Sequence, residues 1–182
     1  MELKSTDCIA RFLQQEAPSL PFEAKVSTPD RFTSAFRELM GYNDPQWQFT
    51  TFESDCDEMI LIKDISFVSL CEHHMLPFMG VAHVGYLPQG RLAGLSKIAR
   101  CVRHWCRGMW TQEHLTMAIA DDLEKELVPL AVGVILEAEH TCMTIRGVKA
   151  PGSKTTTSAM RGVFRDNTNI ARSEFLGLLR RA

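Results

Sequence analysis

Two short clusters about seventy residues apart set the strongest demand on how this chain folds: Cys71-Glu72-His73-His74 and His140-Thr141-Cys142. Each is too poor in donors to hold a metal ion alone, so a shared ion requires the fold to bring them together. A Cys-x-x-His turn offers a thiolate and an imidazole from residues three apart. The second cluster adds Cys142, with His140 beside it. Two sulfurs and one nitrogen suit zinc and leave a fourth position for water, the pattern of a catalytic centre.

Two adjacent histidines cannot readily reach one ion with comparable geometry. His74 is the expected ligand because it closes a turn with Cys71. His73 is then free for proton transfer, which suits a group titrating near neutrality. A structural zinc site completed by His73 or His140 is the competing reading, although such sites usually take their four ligands as closely spaced pairs. If residues 140–146 are extended, His140, Cys142 and Arg146 share one face, joining the metal to a cation.

A third feature is Gly94-Leu95-Ser96-Lys97-Ile98-Ala99-Arg100. Ser96 opening a helix, with Lys97 and Arg100 on its first turns, combines exposed amides with fixed positive charge, an arrangement suited to phosphate or carboxylate. Taken singly, Arg103 and Arg107 read equally well as a solvated face. Glu113, after Gln112, stands where a first-turn acid favours the helix dipole.

The remainder of the chain supplies a frame. Its 182 residues, 45% hydrophobic, can bury a core without staples. A formal charge of −2 makes no general case for nucleic acid or an acidic membrane, so any anionic ligand needs local cations. Six cysteines raise the question of disulfides, but the apolar content removes the need, and the N-terminal residues lack a secretory apolar core. No apolar run approaches membrane-spanning length, and a cytoplasmic protein is expected. Cys101 and Cys106 fall in an apolar helical pattern and read as buried small hydrophobes.

Residues 1–45 read as a helical region, with a helix starting at Thr28-Pro29-Asp30, and residues 46–182 as the main domain. In that domain, 47–52, 59–62 and 65–68 read as a long antiparallel hairpin and Val81–Leu87 as a third strand. Helices follow from about Ser96 and Thr111, the second with Leu115, Ile119, Leu123 and Leu127 at intervals of four. Strands are expected at 132–138 and 143–148, a loop at 149–158 and a last helix around Phe175–Leu179. The pattern is α+β: an antiparallel sheet with two consecutive helices on one face, preceded by N-terminal helices.

Taken together, the stretches Ser69–Phe78, Gly94–Arg100, Gln112-Glu113, Glu139–Met143, Arg146-Gly147 and Thr157–Phe164 closely resemble the zinc-dependent GTP cyclohydrolase I family, from about Thr28 to the last helix. The resemblance implies the tunnelling fold and the conversion of GTP and water to formate and 7,8-dihydroneopterin triphosphate. It implies zinc on Cys71, His74 and Cys142, activating a water for attack on C8. It implies proton transfer by His73 and His140, and recognition of the guanine edge by Gln112 and Glu113. Ser96 would lie by the ribose, and Lys97, Arg100, Arg146 and Arg31 would bind the triphosphate, Arg31 across a subunit boundary. A toroidal homodecamer with interfacial sites is implied as well. The chain departs from the family pattern at Ser34, where some bacterial members carry lysine, and at His114, where arginine is common. A relative of the same fold acting on another purine or pterin nucleotide is the alternative.

Overall fold

The computed structural model describes residues 4–41 and 48–180. The chain divides into two compact units, Met1–Pro45 and Gln46–Ala182. The junction expected at 45/46 lies outside the described residues, as does Trp47 at the head of the expected hairpin.

The first unit is a pair of helices, α1 (Ser5–Glu16) and α2 (Phe22–Leu39). The Lys4 amide, left without a helical partner, donates to the Asp7 carboxylate at 3.3 Å. The expected start at Thr28-Pro29 is overturned: α2 begins at Phe22 and carries Pro29 inside it. Pro21 precedes the helix, and Glu23, Ala24 and Lys25 are good helix formers, so the helix is under way before Pro29 removes one amide. Thr33 returns its hydroxyl hydrogen to the Pro29 carbonyl at 2.8 Å.

The second unit is built on a five-stranded sheet in the order β5-β2-β3-β6-β7. Its strands are β2 (Ile60–Cys71), β3 (Pro77–Leu87), β5 (Met109–Trp110), β6 (Ala131–His140) and β7 (Lys154–Gly162). β1 (Thr51–Glu53) and β4 (Arg91–Ala93) pair with each other, so residues 51–53 do not form a hairpin with 59–68. The two β-rich runs at 59–68 are instead one strand, β2, kinked by a bulge between Ile62 and Ile65 where Asp64 takes φ 58.

Parity sorts the sheet. On one face, Phe78, Ala82, Val84 and Tyr86 of β3 join Val132, Val134, Leu136 and Ala138 of β6. They meet Ile98, Cys101 and Val102 of α3 (Leu95–Trp105) and Leu115, Ile119, Leu123 and Leu127 of α4 (Gln112–Leu127). Interval two on the strands and interval four on the helix thus converge on one core. Burial raises the Cys106 thiol to about 12 and pushes Cys101 up as well, so neither is a thiolate near neutrality. All six thiols are free.

On the opposite face, Gly85 and Gly133 are register partners, and the Phe175 ring of α6 (Ile170–Arg180) sits over both. A Cβ on Gly133 would come within 2.8 Å of that ring, which is why both positions are bare. Phe164 stacks on Phe175 at 5.3 Å. Phe175→Ala is therefore expected to cost roughly 3–5 kcal/mol. A lowered denaturation midpoint, together with faster amide exchange in α6, checks this.

Two further expectations fail. Residues 140–146 are not extended: β6 ends at His140, and α5 (Thr141–Thr144) turns the chain at once. Residues 149–158 are not all loop, because β7 starts at Lys154 and runs antiparallel to β6.

Candidate metal centre and substrate site

The two clusters meet at one end of the sheet. Cys71 closes β2, and the next strand begins at Pro77, so a tight turn must lie between them. The Cys71 amide donates to the Leu76 carbonyl at 2.8 Å, and its own carbonyl accepts from Met75 at 2.8 Å. Met75 takes φ 54 to make the reversal. A third tie comes from β5: Cys71 pairs with Trp110, whose carbonyl accepts the Glu72 amide at 3.2 Å.

This turn brings both histidines back towards the thiol. His74 Nδ1 lies 3.7 Å from Cys71 Sγ and His73 Nδ1 3.9 Å. Two ligands of one tetrahedral ion, with bonds of roughly 2.3 Å (S) and 2.0 Å (N), stand about 3.5 Å apart. The His73 side chain is 65% accessible, with Nε2 3.7 Å from the Glu72 carboxylate.

The second cluster arrives through β6. His140 is the register partner of Phe78 and stacks on it, with centroids 4.6 Å apart and planes 2° from parallel. Thr141 donates its hydroxyl to the Pro77 carbonyl at 2.6 Å, pinning α5 to the start of β3. That turn, rather than strand parity, delivers Cys142: donor atoms of Cys71, His140 and Cys142 all lie within 4.8 Å of one another. Burial raises the Cys142 thiol, the neighbouring Cys71 adds to this, and Arg146 opposes it. A thiol whose ionisation is suppressed by burial and by a second sulfur beside it belongs to a donor set that a divalent cation relieves. The residues present fit zinc.

His140 is half-buried, and burial holds its imidazole below the ordinary histidine value, with the Glu113 carboxylate partly opposing. Its Nε2 meets Gln112 Oε1 at 2.8 Å. Gln112, expected at the guanine edge, is turned inward in this structure. Its side chain is 1% exposed, and its amide nitrogen is turned inward to Leu136 O, Thr155 O and Thr157 Oγ1. Glu113, one residue on, is exposed in the first turn of α4, which Thr111 caps through the His114 amide.

The remaining expected residues are on other elements. Ser96, Lys97 and Arg100 occupy the first turns of α3, with the Lys97 ammonium donating to the Gln48 carbonyl at 2.8 Å. Arg146 is exposed beyond α5 and close enough to bias the Cys142 thiol. Arg31 is exposed on α2 of the first unit. Reasoning from sequence missed Phe78, Thr116 and Thr157. The signal for Thr116 was present: with Gln112 it makes a polar pair, four residues apart, on the stripe that carries Leu115 and Ile119.

Comparison with known proteins gives one answer. Residues 8–180 match the family model described as GTP cyclohydrolase I. A GTP cyclohydrolase 1 of Geobacillus sp. (strain WCH70) is 47% identical over 162 residues, covering 87% of this chain and 86% of that protein. One from Listeria monocytogenes serotype 4b (strain CLIP80459) is 46% identical over 181 residues, covering 97% and 95%. Among solved structures, an apo archaeosine synthase of the QueF-like type is similar with a TM-score of 0.49 and 16% identity, over 60% of this chain and 97% of that one.

Proposed function

The chain belongs to the GTP cyclohydrolase I family and is an enzyme of that activity, and we propose how its own residues divide the work. The reaction takes GTP and water to formate and 7,8-dihydroneopterin triphosphate by opening the purine at C8 and closing a pterin ring. Cys71, His74 and Cys142 would hold zinc. Support comes from the convergence of Cys71, at the end of β2, and Cys142, on α5, and from His74 Nδ1 standing 3.7 Å from the first sulfur; the imidazole grouped with both sulfurs in this structure is that of His140. When bound, zinc supplies Lewis acidity and lowers the pKa of a coordinated water.

The chain's residues handle charge and protons. His73, exposed on the turn beside the thiol, donates a proton to the purine N7. His140, held between Phe78 and Gln112, exchanges a proton with the attacking water. Glu113 accepts the paired N–H groups of the guanine edge, for which its exposed carboxylate offers two acceptor oxygens. Lys97, Arg100 and Arg146 bind the triphosphate, joined across a subunit boundary by Arg31 of a neighbouring copy, and Ser96 lies by the ribose.

The assembly proposed is a homodecamer with sites at subunit interfaces. Support comes from β7, which pairs only with β6 among the described residues, and from Val68 and Met79, each 44% exposed on the sheet. A cytoplasmic location is proposed with it; among the described residues no helix is long and apolar enough to cross a membrane.

Incubation with GTP, before and after chelation, tests the whole reading. Formate should appear in step with GTP loss, cease when the metal is stripped, and return with added zinc. No formate at any metal content would overturn the assignment.

A further inference from the structure

We propose that Gln112 is a positioning residue for His140, fixing the neutral imidazole as the tautomer protonated on Nε2 and leaving Nδ1 with the ring's one free lone pair. The inference rests on His140 being a proton-transfer residue, as read above.

The hydrogen-bond network around Gln112 has only one consistent proton order. Thr116 Oγ1 donates to the Gln112 carbonyl at 2.6 Å, which spends its only hydrogen. The Thr116–Thr157 hydroxyl contact of 2.7 Å must then be donated by Thr157. Thr157 Oγ1 can therefore only accept from Gln112 Nε2, 3.1 Å away. The same nitrogen faces the carbonyls of Leu136 at 3.1 Å and Thr155 at 3.0 Å. Flipping the amide would set Oε1 against two carbonyl oxygens and a hydroxyl with no hydrogen to offer. The oxygen must instead face His140, and since it can only accept, His140 Nε2 must carry the hydrogen in their 2.8 Å contact.

Burial makes the order binding. Gln112 and Thr116 are each 1% exposed, so no solvent is at hand to rescue a mispaired group. The Phe78 stack fixes the ring plane independently of these bonds. The network also runs one way, from Thr157 through Thr116 to the Gln112 carbonyl, and ends at an amide oxygen of negligible basicity. It is no relay: a proton accepted on Nδ1 leaves by Nδ1. Gln112 thus acts on the reaction through another side chain, and the base edge falls to Glu113.

A double-mutant cycle decides it, with kcat, KM for GTP, metal content and melting temperature measured for Gln112→Ala, His140→Ala and the pair. Gln112→Ala should lower kcat by roughly 10- to 100-fold, the usual effect of losing a supporting partner, with KM for GTP nearly unchanged. In the His140→Ala background the same change should cost no further activity. A raised KM, or a loss that persists without His140, would overturn the proposal in favour of direct contact with the base. His140→Ala with near-full kcat would instead sink the proton-transfer reading on which the proposal stands. Should Gln112→Ala fail to fold, Thr157→Val carries the same cycle, because it removes the hydroxyl that accepts from the Gln112 amide and leaves Gln112 itself in place. A smaller kcat loss that vanishes in the His140→Ala background supports the proposal, and one that persists there overturns it.

Discussion

Replacing His73 with alanine is expected to lower kcat by roughly 10²- to 10⁴-fold, the range for losing a general acid, while the metal stays bound. The separation of effects follows from position. His73 is 65% exposed and stacks on no core residue, so the fold does not depend on it. The backbone bonds that shape its turn, from Cys71 to Leu76, Met75 and Trp110 by way of Glu72, survive truncation of the ring. Metal content by elemental analysis should match the parent, and the melting temperature should hold. Near-full turnover in this variant would show that the proton at N7 comes from elsewhere.

Cys142→Ala should have the second large effect, and a different one: loss of the metal, and of turnover with it. A site left with one thiolate and one imidazole has lost a third of its donors. The structure also loses the stabilisation that a tightly bound ion gives, about 4 kcal/mol at a thousandfold excess over Kd. The melting temperature of the variant should match that of the chelated parent. A companion pair identifies the nitrogen ligand. His74→Ala should release the metal, and His140→Ala should retain it, because His74 Nδ1 stands 3.7 Å from Cys71 Sγ, close to the separation of two ligands on one ion. If His140→Ala is the variant that empties the site, His140 rather than His74 is the third ligand.

The sequence was most readable where one short period met one environment. Leu115, Ile119, Leu123 and Leu127 lie along a single stripe of α4, and all four are buried. Residues 132–138, read as a strand, lie within β6. It misled where local composition and tertiary demand disagree. Thr141, Thr144 and Ile145 are β-branched and suggest extension, yet the chain must double back there to present Cys142, and the Thr141 hydroxyl holds that turn to Pro77. Pro151 and Gly152 suggested a loop to 158, but partners on β6 pull Lys154 onward into a strand. Pro29 marked a helix start by propensity and proved to be mid-helix. At the site, residue types and spacing identified Cys71, His74 and Cys142 as candidates. They could not show that Gln112 turns inward, because that depends on carbonyls of β6 and β7 distant in sequence.

The pairing of Cys71 with Trp110 has a consequence for how chain length can vary in this lineage. Trp110 is clamped to the turn bearing the first thiol, and α4 begins two residues later, so Glu113 follows with almost no slack. One residue inserted there would swing the carboxylate by about 100° around the helix axis. The reach from sulfur to carboxylate is thus written in backbone, and that stretch tolerates neither insertion nor deletion. Beyond Arg146, where turns alone lead into β7, length has more room to vary.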